Sequence, residues 1–504
     1  MKHRPDPQAI SRRGFIHRAA LAAGAGFAYG SVGVRSLKAL GYRSPNEKLN
    51  IAGIGAGGQA FNDLRHCESE NIVALADVDR RRGQAGFKKW DKAARHDDFR
   101  RMLDKEHKNI DAVVIAIPDH MHATAALWCM QLGIHVYLEK PLTRTAWEAR
   151  LLTQAGEKYN VATQMGNQGY SHDATRVACE IFWSGEIGEV REVNAWTGAA
   201  GWPQGMLKIP PPTPVPETLN WDLWLGGAES RPYTAGDAEY RAMIGERFGK
   251  EDFEFYLPAR WRAFPDFGSG LIGDWGIHIL GPANWALQLG PEHLMSVECV
   301  EKDSVSSLTF PDVLTLKYEF SARPGGLPPV TVYWRHHPGG DAYTPPGMTI
   351  EDARKIPGTG PQVGPMGKTA GGSGSGYNCI FAGSKGYMGT SGRGEGVGLL
   401  PGSRWAEYKL PPASLSRSPG ASEGDNHAAH LHDWIRACKG GASACSNFSI
   451  AGKYTEWLIL GAAAVHYKGK LLWDNARGEF TNNKEANQWV KPTFREGWNI
   501  ALQQ

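Results

Sequence analysis

Gly53-Ile54-Gly55-Ala56-Gly57-Gly58 is a G-x-G-x-x-G run set between the apolar stretch Leu49–Gly53 and a segment of helical periodicity, and few folds accommodate it. Glycines at this spacing allow a tight turn at Gly53, close approach of an anion to the backbone at Gly55 and close helix-to-strand packing at Gly58. The N-terminus of the following helix then faces the negative charge. The next apolar stretch, Asn71–Val78, carries Asp77 near its end, where a carboxylate accepts hydrogen bonds from adenosine ribose hydroxyls. Strand, glycines, helix, strand and acid in this order predict a dinucleotide site. Asp77 disfavours a phosphate on that ribose by charge, whereas Arg80, Arg81 and Arg82 are near enough to clamp one, so NAD is favoured and NADP remains possible.

The same alternation continues. A helix near Gln84–Lys92, the buried strand Ala112–Ile117, a helix over Met121–Leu132, the strand His135–Leu138, a helix starting near Thr145 and the strand Ala162–Met165 complete a doubly wound parallel sheet. Beyond Tyr170 the strands lengthen (Val190–Trp196, Leu314–Phe320, Val330–Trp334) and are separated by Pro- and Gly-rich loops, which predicts a second, mostly antiparallel α+β domain. Pro210–Pro216 and Pro357–Gly376 are the loosest segments, expected to be covers over a site or disordered insertions. Helical patterns return at Asn426–Cys438 and Ala451–Tyr467. The expected division is 1–45, 46–169 and 170–504, with a chain of 504 residues too long for one hydrophobic core.

Net charge is only +3 and the basic residues are scattered, so no nucleic-acid footprint is implied. The seven cysteines are widely spaced without a CxxC pair or His-flanked cluster, which argues against a disulfide framework or a zinc site, and no metal is expected. The first residues read differently. Ser11-Arg12-Arg13-Gly14-Phe15 is a twin-arginine pattern, followed by a small-residue, mildly apolar run from Ala19 to Val34 that is too short and too Gly/Ala-rich for a stable span. The expectation is a protein that folds around its cofactor in a reducing compartment and is exported by the twin-arginine machinery to the periplasm or cell envelope.

Ile117-Pro118-Asp119-His120-Met121-His122 followed by Leu138-Glu139-Lys140-Pro141 resembles the Gfo/Idh/MocA oxidoreductase family, as does the later Asp274-Trp275-Gly276-Ile277-His278. The resemblance extends over nearly all of the chain after Lys48, and the ending, from Leu472-Trp473-Asp474 to Gly497-Trp498, resembles exported members. It implies a Rossmann domain, a tightly held nicotinamide cofactor, and hydride transfer at a hydroxyl-bearing carbon of a sugar, cyclitol or derivative. It further implies contacts to the cofactor from Gly53, Gly55, Gly58, Asp77, Pro118, His122, Glu139, Lys140, Asn167 and Gln168. Association into dimers or tetramers through the open second-domain sheet is expected by the same analogy.

Lys140 follows an apolar strand and so stands at the carboxyl edge of the sheet, where ligands bind in such folds. Asp274 and His278 are four apart, on one face of any helix there, and form a candidate oriented general base in which His278 removes the hydroxyl proton while Asp274 or Lys140 positions and polarises the site. Where the family often has a further acid three residues after the histidine, this chain has Gly281-Pro282. Trp261 and Arg262 are candidate sugar contacts, and Trp221, Trp224 and Tyr233 are expected mainly in the core. A redox-neutral glycosidase or lyase that retains its cofactor, or a non-catalytic sugar-binding protein, remain alternatives, since one fold hosts several chemistries.

Overall fold

The computed structural model describes residues 47–503 apart from 250–253, 304–305, 341–342, 355–360, 362, 364–375 and 419–424. The export segment expected over 1–45 lies outside the described residues, as does nearly all of Pro357–Gly376.

Six strands form the first sheet: β1 (Asn50–Ile54), β2 (Asn71–Ala76), β3 (Ala94–His96), β4 (Ala112–Ile115), β5 (His135–Glu139) and β6 (Thr163–Gly166). All pairs are parallel, in the order β3-β2-β1-β4-β5-β6. The order reverses direction between β1 and β4, and ligands of such sheets bind in the crevice beyond the strand ends at that point. The central strands are covered on both faces, so β4 reads Ala-Val-Val-Ile and is buried throughout. Helices α1 (Gly58–Arg65), α2 (Arg80–Lys89), α3 (Phe99–Glu106), α4 (His122–Gln131) and α5 (Ala146–Tyr159) make the crossovers. α5 begins in a capping box, in which Thr145 accepts from the Glu148 N–H and the Glu148 carboxylate accepts from the Thr145 N–H.

After α6 (Asp173–Trp183) the chain enters a nine-stranded sheet whose centre is β7 (Val190–Thr197), β8 (Leu294–Lys302), β9 (Leu314–Phe320) and β10 (Val330–His336). β7 and β10 are parallel and the other pairs antiparallel. β10 alternates buried and half-buried residues along its length, the mark of a sheet with one face on the core. β11 (Tyr377–Gly383), β12 (Gly386–Ser391) and β13 (Val397–Leu400) extend one edge, and β14 (Leu471–Asp474) and β15 (Glu479–Phe480) the other.

Two late helices join the layers. α7 (Asn426–Cys438) lays Leu431, Trp434, Ile435 and Cys438 against Leu49, Ile51 and Tyr137 of the first sheet. α8 (Phe448–Ala464) packs on α5 with one side and, with the other, sets Trp457 edge-on against Tyr318 and Phe320 of the second sheet at 5.3 and 5.2 Å. The core is therefore continuous from one sheet to the other. All seven cysteines are free thiols, and among the described residues no helix is long and apolar enough to cross a membrane.

Candidate active site

The glycine run sits between β1 and α1, at the reversal of strand order. Gly55 has φ +94°, and a Cβ there would lie 2.6 Å from the Ala116 carbonyl oxygen, so no other residue fits without moving β4. The division of labour among the glycines differs from the sequence reading. Close packing falls to Gly53, whose Cβ would meet Leu64 and Leu75 at 2.8 Å, and to Gly57, whose Cβ would collide with the Arg82 carbonyl. Gly58, expected to serve that packing, instead has φ +53° with open space beside it and lines the cleft. No acidic side chain occupies the first turn of α1, and its cap Gly57 contributes no side-chain bond, so the helix N-terminus is open to an anion.

The cleft beside it, about 310 Å³, is lined by Gly55, Gly58, Asp77, Pro118, His122, Glu139, Lys140, Trp261 and Arg262 from the predicted set. Gly53, Asn167, Gln168, Asp274 and His278 are not on this lining. Asp77 accepts from the N–H of Ala56 at 2.9 Å and of Asp79 at 3.0 Å, which ties the glycine turn to the end of β2, and burial pushes its carboxyl up to about 6. Of the three arginines expected near the ribose, Arg80 forks onto Asp97 and Arg81 pairs with Glu254 at 2.8 Å, while Arg82 lines the cleft.

Sequence reading missed the cover. Residues 218–220 bond along the end of β2, with the Asn220 N–H donating to Val78 O at 2.8 Å and the Arg80 N–H to Thr218 O at 2.9 Å. Leu223, Trp224, Leu257, Pro258 and Ala259 continue this cover over the cleft. The Pro210–Pro216 loop is anchored beside it by Thr213, whose N–H donates to Tyr233 O. Trp221 and Trp224 stack at 4.7 Å and are largely buried, as expected for core residues, though Trp224 also faces the cleft.

Lys140 is the pivot of the polar site. Its Nζ donates to Asp274 Oδ1 at 2.5 Å and to Asp274 O at 3.1 Å, and Arg262 Nε donates to the same Oδ1 at 3.1 Å. Asp274 lies in a π-helical turn, Ile272–Gly276, a distortion found often at functional positions. Burial raises its carboxyl, but the Lys140 and Arg262 cations outweigh burial and hold it below the usual carboxylate range. The expected Asp274–His278 dyad is thus corrected: the carboxylate is committed to two cations, and His278 Nδ1 is buried with no hydrogen-bond partner among the described residues. Burial, then Lys140 and Arg393, drive the His278 imidazole well below its ordinary value, so it is neutral.

His122 opens α4, with its ring nitrogens 2.9 Å from Pro141 O and 2.8 Å from Ile117 O, and so locks the turn after β4 to the turn that carries Lys140. Glu139 accepts from Gln168 Nε2 at 3.0 Å, which places Gln168 behind the cleft, and both amide atoms of Asn167 are buried without a partner among the described residues. Although no metal was expected, Asp63, Glu139 and His427 bring one ligand atom each within 4.8 Å of one another. Gln59 Nε2 donates to Asp63 Oδ1 at 2.8 Å and reaches Glu139 Oε1 at 3.5 Å, and His427 Nε2 is 2.6 Å from Asp63 Oδ1. Burial pushes both carboxyls up to about 8, and the Asp63 charge adds to the effect on Glu139. Burial thus favours the protonated form of both carboxyls, and the side-chain amides of Gln59 and Gln168 donate hydrogen bonds to them.

Residues 48–167 match the family model described as an oxidoreductase family with an NAD-binding Rossmann fold. A dTDP-3,4-didehydro-2,6-dideoxy-alpha-D-glucose 3-reductase of Saccharopolyspora spinosa is 33% identical over 130 residues, 26% of this chain and 35% of that protein. A glycosyl hydrolase family 109 protein of Solibacter usitatus is 28% identical over 179 residues, 32% of this chain and 40% of that protein. The chain thus spans well under half the length of these curated relatives. Among solved structures, the WlbA dehydrogenase of Bordetella pertussis, in complex with NADH and UDP-GlcNAcA, superposes with a TM-score of 0.54 at 13% identity, covering 85% of this chain and 99% of that one. At that identity the likeness shows the two-sheet fold.

Proposed function

We propose, from the premise that the domain over residues 48–167 is that of the Gfo/Idh/MocA oxidoreductases, that this chain transfers a hydride between tightly held NAD and a hydroxyl-bearing carbon of a sugar, cyclitol or derivative. The observation that carries the reading is Lys140 Nζ, 2.5 Å from Asp274 Oδ1, on the wall of the cleft that the glycine turn opens. Gly55 and Gly58 with the N-terminus of α1 would hold a pyrophosphate, and Asp77 the adenosine ribose. Asp77, with Arg80 and Arg81 engaged by acids, favours NAD over its phosphorylated form. A bound nicotinamide supplies the acceptor or donor of the hydride.

The chain's own residues supply the rest. The Lys140 ammonium, fixed by Asp274, donates to the substrate oxygen and polarises it, and neutral His278 takes the hydroxyl proton. Arg262, stacked on Trp261 at 4.2 Å, keeps the carboxylate in place and presents an apolar-faced wall to the sugar.

The test is to purify the chain without added nucleotide, identify any dinucleotide released on denaturation by mass spectrometry, and follow its oxidation state against a panel of sugars and glycosides. Stoichiometric NAD that becomes reduced with one sugar is the expected result, and a preparation with neither nucleotide nor turnover would overturn the proposal. The partial match to a glycosyl hydrolase favours one second reading, in which the hydride is returned and net redox is zero. Glycoside cleavage with the cofactor left oxidised would select it.

Export by the twin-arginine route to the periplasm or cell envelope belongs to the same proposal, supported by Ser11-Arg12-Arg13-Gly14-Phe15 and by seven thiols that need no oxidising compartment. Changing Arg12 and Arg13 together to Lys should retain the protein in the cytoplasm; unchanged export would remove this part. Association into a dimer or tetramer through the open face of the nine-stranded sheet is read by sedimentation of the full chain.

A further inference from the structure

Between β4 and α4 runs the segment Ile117-Pro118-Asp119-His120-Met121, which both walls of the cleft hold in place. On one side the His122 ring joins Ile117 O to Pro141 O, next to Lys140. On the other, the His120 ring lies 3.0 Å from Trp224 O in the cover, and the His120 N–H donates to Phe267 O at 3.2 Å. Gly268, the next residue, packs so closely on the Arg262 backbone that a Cβ there would lie 2.8 Å from Arg262 Cα. Asp119 is thereby fixed between the Lys140 turn and the Arg262 loop, and all three residues share the lining of the cleft.

His120 and His122 serve the fold, whereas the Asp119 carboxyl makes no hydrogen bond or ion pair among the described residues. Its Oδ1 is sealed by protein atoms; Oδ2 is not, and so is the oxygen that Asp119 shows to the cleft. A carboxyl drawn out of bulk water is costly unless a hydrogen-bonding partner reaches it, and the cleft is the side from which Oδ2 is reached. The charges nearby decide what that partner is. Burial raises the Asp119 carboxyl to about 8, with Arg262, Lys140 and Arg144 drawing it down and the ionised Asp274 adding to the rise. Glu139, on the same lining, is likewise raised by burial to about 8. An ammonium on the ligand would meet Lys140 and Arg262, and a phosphate or carboxylate would meet the acids. A hydroxyl meets neither penalty, and a protonated carboxyl both donates to it and accepts from it.

We infer that Asp119 is a specificity-determining residue whose Oδ2 receives a second hydroxyl of the substrate, so that the site takes a polyol with hydroxyls in reach of both Lys140 and Asp119 and rejects the analogue lacking the second. This rests on the proposed function for the hydroxyl at Lys140 alone; the second hydroxyl is carried by the position and the open oxygen of Asp119. A site built to bond a hydroxyl rejects the deoxy analogue strongly, because the analogue leaves the carboxyl withdrawn from water without a partner. A ribose of the cofactor offers the same chemistry. The place of Asp119 between Lys140 and Arg262 favours the substrate, and bound dinucleotide separates the two sources.

The experiment is a calorimetric titration of the purified full chain with its retained cofactor, using D-glucose, D-galactose, D-mannose and myo-inositol and the monodeoxy analogues of each. Expected is at least one parent compound for which removal of one hydroxyl weakens binding about tenfold or more. In Asp119→Ala that parent and that deoxy analogue should bind within about twofold of each other, while removal of any other hydroxyl costs what it costs in the wild type. Asp119→Asn, whose amide still bonds a hydroxyl, should keep part of the difference, with thermal midpoints showing that both variants fold. No binding of any parent, or a hydroxyl dependence untouched in Asp119→Ala, would overturn the inference. So would loss of the bound dinucleotide from a folded Asp119 variant, which would put a cofactor ribose at this carboxyl. Coupling between Asp119 and one hydroxyl without any reduction of the cofactor would leave Asp119 as assigned and count against the proposed hydride transfer.

Discussion

The two ends of the cleft are built in opposite ways. The nucleotide end is made of backbone, from one contiguous run, Gly53–Gly58, whose fit is set by atoms that a side chain would displace. The proposed substrate end is made of side chains from three distant segments: Lys140 after β5, Arg262 in the cover, and Asp274 in the π-helical turn with His278 in the α-helical turn that follows it. A backbone site tolerates almost no substitution but asks little of remote residues. A side-chain site tolerates partial loss of function at each position and depends on the whole fold to assemble.

That contrast is tested most severely at Lys140, on the wall of the cleft. Lys140→Ala removes the proposed donor to the substrate oxygen and should lower turnover by about 10³-fold or more, within the range of general acid–base losses. Dinucleotide released on denaturation should remain stoichiometric, because Lys140 holds none of the pyrophosphate cradle; activity surviving intact would take Lys140 out of the chemistry. At the nucleotide end, Gly55→Val forces a β-branched residue into φ +94° against the Ala116 carbonyl. The cofactor recovered per chain should fall by about an order of magnitude or more. Normal retention in a folded variant would mean that the turn does not grip the dinucleotide.

Asp274→Asn probes the middle of the side-chain end. It leaves Lys140 and Arg262 facing each other without the carboxylate that now bridges them. Turnover should drop about ten- to a hundredfold while cofactor content stays constant, since the ammonium is no longer aimed. A variant with wild-type kcat would show that Lys140 is positioned by the strand end alone.

The same contrast explains what could be read from the chain. The strand–glycine–helix–acid order is local, and the observed β1 and β2 fall within two residues of where hydrophobic periodicity puts them. β3 escaped because Ala94–His96 is a three-residue, half-exposed strand without an apolar run. Lys140, Asp274 and His278 were found through motifs, but their partnership was not, because the fold sets Asp274 toward Lys140 and Arg262 instead of along its own helix face. The cover formed by residues 218–224 and 257–262 had no signal beyond its aromatic content.

Behind the nucleotide end, the Asp63–Glu139–His427 cluster allows the smallest effect to be predicted with a definite sign. Asp63 is fully buried, and burial raises its carboxyl from 3.8 to about 8, so the folded chain keeps a proton there that the unfolded chain has released. Between about pH 4 and pH 8 the native state binds more protons than the unfolded state, and stability from this group falls as pH rises through that window. Asp63→Asn mimics the protonated acid in shape and can still accept from Gln59 through its carbonyl oxygen. The variant should gain stability on the wild type steadily as pH rises from 5 to 8.5, as read from denaturant midpoints at each pH. Groups away from the cluster titrate in both proteins and cancel in the difference, whereas Glu139, which the Asp63 charge pushes up, is read together with Asp63. A difference that stays flat from pH 5 to 8.5, or that grows in the wild type's favour, would mean that Asp63 is ionised in the fold and that His427 carries the compensating charge.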